Sequence, residues 1–135
     1  DFATLTGAAR VALGSELPAL FSSHDDVADA LLAAGIAVGD PLWRLPLHDA
    51  YRRHLDSRVA DLSNIANTSY GGAITAALFL REFVSHRKNR WIHIDTMAWH
   101  LAGRPGRPAG GEVMAARACA EMLERRYRPS ADTDA

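Results

Sequence analysis

The 135-residue sequence predicts an α/β layer fold in which helices flank a sheet. Three observations carry that expectation. From Ala73 to Leu80 the only polar side chain is Thr75, so a helix there is apolar nearly all round and belongs in a core. Trp91-Ile-His-Ile-Asp-Thr-Met97 alternates and is rich in strand formers. Between these and the chain ends, strand-like and helix-like stretches alternate, with no internal repeat and no second domain boundary. The Ala73–Leu80 run is far shorter than the ~20 apolar residues that cross a bilayer. Gly71 and Gly72 at its start leave bare backbone N–H groups that suit a close neighbour or an anion, and close packing is the favoured reading.

Taken in order, Asp1–Thr6 reads as the tail of a strand and Gly7–Gly14 as a short, tightly packed helix. Pro18–Ser22 is a brief extended segment. Ser23 and Asp25 are placed to cap a helix whose apolar positions Val27, Ala30, Leu31 and Ala34 share one face, with Gly35 and Gly39 marking its end. Pro41–Leu47 is bracketed by prolines, which makes it an extended connection rather than a central strand. His48–Leu55 reads as a helix with Tyr51 and Leu55 on one side, and Val59–Ile65 as extended, leading through the polar loop Ala66–Ser69. Arg87–Arg90 is a charged turn and Gly103–Gly111 a loop by composition. From Glu112 to Tyr127 the pattern Val113, Ala116, Ala120, Leu123 predicts a last amphipathic helix. Residues 1–128 are thus one domain and Pro129–Ala135 a polar tail.

A formal charge of −1 gives no global bias toward nucleic acid or an acidic membrane. The single cysteine, Cys119, excludes an internal disulfide, fits a reducing cytoplasm, and sits in a helical pattern where a small buried hydrophobe outweighs a nucleophile. There is no charged-then-apolar leader and no initiator Met, and the opening on Asp-Phe-Ala-Thr leads us to expect a piece of a larger chain.

Few residues point to chemistry by themselves. His93 and Asp95 lie two apart on one face of a strand, where they can ligate a metal or form an acid/base pair. Two ligands are too few, and a buried, hydrogen-bonded structural pair is favoured. Asp61 stands alone among apolar neighbours without an identifiable partner. Arg104 and Arg107, each next to a proline, can grip a carboxylate or phosphate, but a solvated or intersubunit role fits a glycine-rich loop equally. That loop lacks the phosphate-cradle ending and the dinucleotide spacing. Ser22, Ser23 and His24 are too close together for a triad, and no glycine-flanked serine elbow occurs, so serine hydrolysis is disfavoured.

Five blocks go further. Ala3-Thr-Leu-Thr-Gly-Ala8, Trp43-Arg-Leu-Pro-Leu47, Ala60-Asp-Leu-Ser-Asn64, Gly71–Leu80 and Trp91-Ile-His-Ile-Asp95, with a later Gly-Arg-Pro, resemble the leucyl (cytosol) aminopeptidase family in that family's order. The resemblance implies a three-layer helix/sheet/helix catalytic domain on a mixed sheet. It also implies a cytoplasmic, usually hexameric exopeptidase that removes N-terminal residues from peptides with two divalent ions, zinc or manganese. The family's Asn-Thr-Asp-Ala-Glu-Gly-Arg motif, which carries metal-binding carboxylates and the catalytic arginine, is absent from these residues, as are the upstream lysines and aspartate. The expectation is a C-terminal portion that alone binds no metal pair, holds no catalytic residue and does not hydrolyse peptides.

By match to the family motif, Thr4 and Gly7 are expected to line the pocket for the first substrate side chain. The Leu5 carbonyl and the Gly7 N–H are expected to hydrogen-bond the peptide backbone, and Ile65 to touch the second residue. Met97 and Ala98 follow Asp95 where the family usually has Asp-Ile-Ala-Gly; this sequence reads Asp-Thr-Met-Ala, so that pocket wall is expected to be altered. Two other readings stay open. One is a catalytically silent assembly module; the other is a DNA-binding module using Arg87–Arg90 and Arg125–Arg128, which is disfavoured because charged turns and helix ends are usually just solvated. No membrane partner is expected.

Overall fold

A computed structural model of the chain describes residues 1–84 and 90–128. In chain order its elements are β1 (Phe2–Ala3), α1 (Gly7–Leu13), β2 (Ala19–Ser22), α2 (Asp25–Ala37), β3 (Trp43–Arg44), a 3-10 helix (Asp49–Leu55), α3 (Gly72–Glu82), β4 (Ile92–Asp95), β5 (Trp99–His100), β6 (Gly110–Gly111) and α4 (Ala116–Tyr127). Four strands form a mixed sheet in the order β1-β4-β2-β3, with β1 parallel to β4, β2 antiparallel to β4 and β3 parallel to β2. The pleat sends Leu20 and Ile94 toward α2 and α4, while Ala19 and Phe21 face α1 and α3. Helices therefore cover both faces, and the expected three-layer arrangement is present.

β2 is the centre of that sheet. Ala19, Leu20 and Phe21 are fully buried, and Ser22 satisfies its hydroxyl by donating to the Trp91 carbonyl at 2.8 Å. Pro18–Ser22 is more than the brief extended segment read from sequence, because strands pair with it on both sides. Each large apolar side chain so buried contributes roughly 1.5–3 kcal/mol.

α2 buries Val27, Ala28, Leu31, Ala34 and Gly35, close to the expected stripe. Its N-terminus differs from expectation: His24 occupies the capping position without a side-chain cap, and neither Ser23 nor Asp25 supplies one. Asp25 and Asp26 instead place negative charge in the first turn, where the helix dipole favours it.

α4 departs further. The expected face of Val113, Ala116, Ala120 and Leu123 does not enter the core; Val113 is 67% and Leu123 48% exposed, whereas Ala115, Ala118 and Met122 are buried against α2. The cause is Asp40. Its buried carboxylate accepts from the backbone N–H groups of Ala115 (3.0 Å), Arg117 (3.0 Å) and Ala118 (3.3 Å), capping α4 from 75 or more residues away and fixing its rotation.

The expected helix at His48–Leu55 forms as a 3-10 helix over Asp49–Leu55. Two other expectations change. Val59–Ile65 is not a strand, because the Ser57 and Ser63 hydroxyls accept from nearby N–H groups and fold it into turns. Gly103–Gly111 is the tip of a hairpin, closed by paired backbone bonds of 2.8 Å between Arg104 and Arg107 and by β5 pairing with β6. At the head of α3 close packing is what the glycines provide. A Cβ on Gly71, at φ 65°, would lie 3.1 Å from the Tyr51 ring, and one on Gly72 would lie 3.4 Å from Ala8. Arg87–Lys88–Asn89 and the tail Pro129–Ala135 lie outside the described residues.

The tightest point between α2 and α4 is Gly35, where an added Cβ would lie 2.7 Å from the Asp40 carbonyl and 3.5 Å from the Ala118 Cβ. Gly35→Val is expected to lower stability by about 1–3 kcal/mol through overpacking, read as a lower urea midpoint; an unchanged midpoint would contradict this packing.

Candidate functional site

The link between β1 and α1 is a turn, Thr4–Gly7, held against the end of β4. Asp95, 4% exposed, accepts from Leu5 N–H at 3.0 Å through Oδ1. Through Oδ2 it accepts from Thr6 N–H at 3.1 Å and from the Thr6 hydroxyl at 2.7 Å. Thr6 Oγ1 in turn accepts from Ala9 N–H and caps α1. The Thr4 hydroxyl donates to the Thr96 carbonyl at 2.6 Å, and Thr96 N–H donates to the Ala3 carbonyl at 3.0 Å.

This stitching encloses a cavity of about 90 Å³ whose wall includes Thr4, Leu5, Gly7, Arg10, Asp95 and Met97. Four of the six expected site residues, Thr4, Leu5, Gly7 and Met97, thus share one cavity. Ala98 lines a neighbouring groove with Phe2, Ala3, Thr4 and Thr96. Ile65 is 75% exposed on its loop and does not line the cavity. Sequence reading missed Thr6, Arg10 and Asp95 as parts of this wall. A threonine before the first helical residue is a capping signal and could have marked Thr6; nothing in the sequence marks Arg10.

Ala98 adopts φ 53°, in the left-handed region, at the position where the family pattern has glycine.

His93 and Asp95 share a strand face but act separately. His93 is fully buried, its ring stacked near Phe21 (5.7 Å) and Trp91 (6.3 Å), with Nδ1 2.7 Å from Asp1 Oδ2 and no partner on Nε2. Burial pushes its pKa down to about 4, against the opposing pull of Asp95, so the imidazole is neutral near pH 7.

Among the described residues no group of three or more His, Cys, Asp or Glu side chains is placed to hold a metal ion. Both Asp95 oxygens are engaged by the turn and His93 Nδ1 by Asp1, so these residues do not fit a metal pair. Arg104 and Arg107 each meet a carboxylate of this chain, Glu16 at 3.4 Å and Glu112 at 2.6 Å. Of the described arginines in the two basic clusters, Arg90 pairs with Asp26, Arg125 with Glu121 and Arg128 with Glu124, while Arg126 lies over the Tyr127 ring. The Cys119 thiol is pushed up by burial, as suits a packing residue rather than a nucleophile.

Residues 1–120 match the model of the cytosol aminopeptidase family, catalytic domain. The chain belongs to the cytosol aminopeptidase family. Among its relatives, Peptidase B of Serratia proteamaculans is 44% identical over 125 residues, covering 91% of this chain and 29% of that protein. The probable cytosol aminopeptidase of Methylibium petroleiphilum is 50% identical over 113 residues, 80% of this chain and 23% of that protein. A crystal structure of the cytosol aminopeptidase of Coxiella burnetii superposes with TM-score 0.89 at 55% identity, over 95% of this chain and 28% of that one. The bottromycin maturation enzyme BotP in complex with manganese gives TM-score 0.86 at 40% identity, over 93% and 28%. The chain thus spans less than a third of the length of these relatives. Aminopeptidases of this family depend on a pair of divalent metal ions. No helix among the described residues is long and apolar enough to cross a membrane.

Left-handed alanine costs roughly 1–2 kcal/mol. Ala98→Gly is expected to recover part of this, raising the melting temperature by a few degrees; a fall would contradict the strain at this position.

Proposed function

We propose that these residues form the wall that grips the leading residue of a peptide in a metallo-aminopeptidase, with the metal pair held by polypeptide other than these 135 residues. The observation that carries the reading is the shared cavity of Thr4, Leu5, Gly7 and Met97 at the junction of two strand ends, in a chain of the cytosol aminopeptidase family. Thr4 and Met97 would contact the first side chain. The Leu5 carbonyl and Gly7 N–H would take the peptide backbone; Gly7 opens α1, a position whose N–H has no acceptor within the helix. A glycine there lets a ligand approach the main chain closely. Ile65 and Ala98 would contribute at the margin, toward the second residue.

The 135 residues alone would neither bind the metals nor turn over substrate, since the Asn-Thr-Asp-Ala-Glu-Gly-Arg motif that the resemblance assigns to the metals is not among them. Zinc and manganese both suit the proposed pair, and the manganese complex of BotP makes manganese the first ion to test. The natural protein would act in the cytoplasm as a homo-oligomer, a hexamer by analogy with its family. A nucleic-acid role has less support, because the arginines at 90, 125 and 128 are already paired with carboxylates.

Gly7 allows a clean test. A Cβ built on it would meet only the Arg10 Nη2 atom, at 3.9 Å, so a larger residue fills the cavity without clashing with the fold. In the natural protein supplied with manganese, Gly7→Val is expected to raise KM for leucine p-nitroanilide about 10- to 100-fold. Unchanged kinetics would count against the pocket assignment, and no turnover by the wild type with either metal would overturn the reading.

A further inference from the structure

We infer that Asp95 is a positioning residue that sets substrate preference by holding the Thr4–Gly7 turn in shape; this rests on the aminopeptidase reading above. The Asp95 carboxylate lines the cavity, yet three of its acceptor sites are already taken by the turn, at 3.0, 3.1 and 2.7 Å. An ionised carboxylate only accepts, and here it meets only donors: two backbone N–H groups and a hydroxyl. Each oxygen receives one of the two N–H groups, so neither can be exchanged for a donor without opposing a fixed N–H.

The bonds reach beyond the turn. Thr6 Oγ1 passes the connection on to Ala9 at the start of α1, and Thr4 is fastened separately to Thr96. Every main-chain group proposed to touch the peptide therefore lies within two residues of an atom bonded to Asp95. The bonds come from sequence positions about 90 apart, and the strand supplying the carboxylate is buried between two others. The end of β4 thereby sets the cavity's width, since Thr4, Leu5 and Gly7 sit on the turn it holds and Met97 follows the strand itself.

Asp95→Asn separates this role from a merely structural one. The amide keeps the size of the side chain but turns one oxygen into an NH2, which must face the N–H of Leu5 or of Thr6, and the turn must shift. The assay is steady-state hydrolysis of leucine and glycine p-nitroanilides by the natural protein with manganese. The leucyl substrate has a first side chain to place; the glycyl substrate has none. Asp95→Asn is expected to raise the leucyl KM about tenfold while kcat for both substrates and the glycyl KM stay within about threefold, so the leucyl preference falls about tenfold.

If Asp95 only stabilised the fold, fewer active molecules would lower kcat equally for both substrates and leave KM and the preference unchanged, which would overturn the inference. Should Asp95→Asn not accumulate as folded protein, Thr6→Ala removes one of the three bonds and is read by the same ratio. Wild-type turnover with an unaltered preference in the variant removes only the inference. Absence of wild-type turnover on both substrates removes the aminopeptidase reading and the inference with it.

Discussion

A buried carboxylate met by three donors is the constraint on which the site depends. Asp95 lies at the C-terminal end of β4, on the sheet face that also carries Phe21 and His93, and α1 begins immediately after the turn it holds. Burying such a charge is costly unless every lone pair in use finds a donor, and here Leu5 and Thr6 provide them. The same bonds solve two problems at once: they satisfy the strand's terminal acid and they fix the entry angle of a seven-residue helix too short to hold itself. The cavity is a by-product of that geometry, bounded by the turn on one side and by Met97 on the other.

Asp40 does for the opposite face what Asp95 does for this one. It sits in the turn after α2, is 4% exposed, and gathers three N–H groups at the start of α4, whose first turn has no acidic residue of its own. With Gly35 permitting close approach, the pair α2 and α4 becomes a fixed slab against Leu20 and Ile94. Both devices are long-range, joining residues about 75 to 90 positions apart, and both use an aspartate at the end of an element.

That distance explains what was and was not legible in the sequence. The Trp91–Met97 strand and the helix after Gly72 announced themselves through composition and alternation, which are local properties. The face of α4 did not, since its rotation is set by Asp40, and periodicity alone favoured Val113 and Leu123, which stay largely exposed. Val59–Ile65 looked extended from its apolar content, but Ser57 and Ser63 offer the backbone nearer partners than any strand. His93 and Asp95 are buried on one strand face, but not as the hydrogen-bonded pair expected: Asp95 bonds the turn and His93 meets Asp1. Within the site, the matched motifs name Thr4, Leu5, Gly7 and Met97, which line one cavity, whereas Ile65 does not line it and Arg10 carried no pattern at all. Ala98 takes a left-handed backbone after the strand, which no local sequence pattern marks.

The chain belongs to the cytosol aminopeptidase family and spans less than a third of the length of its relatives, so the proposed peptide-gripping wall is tested in the natural protein. The most direct test is a crystal structure of the natural protein with a non-hydrolysable leucyl dipeptide isostere. The account predicts the leucyl side chain within about 4 Å of Thr4 and Met97, with Asp95 still bonded to Leu5 and Thr6. An isostere bound with its first side chain away from that cavity, or against a turn released from Asp95, would contradict it.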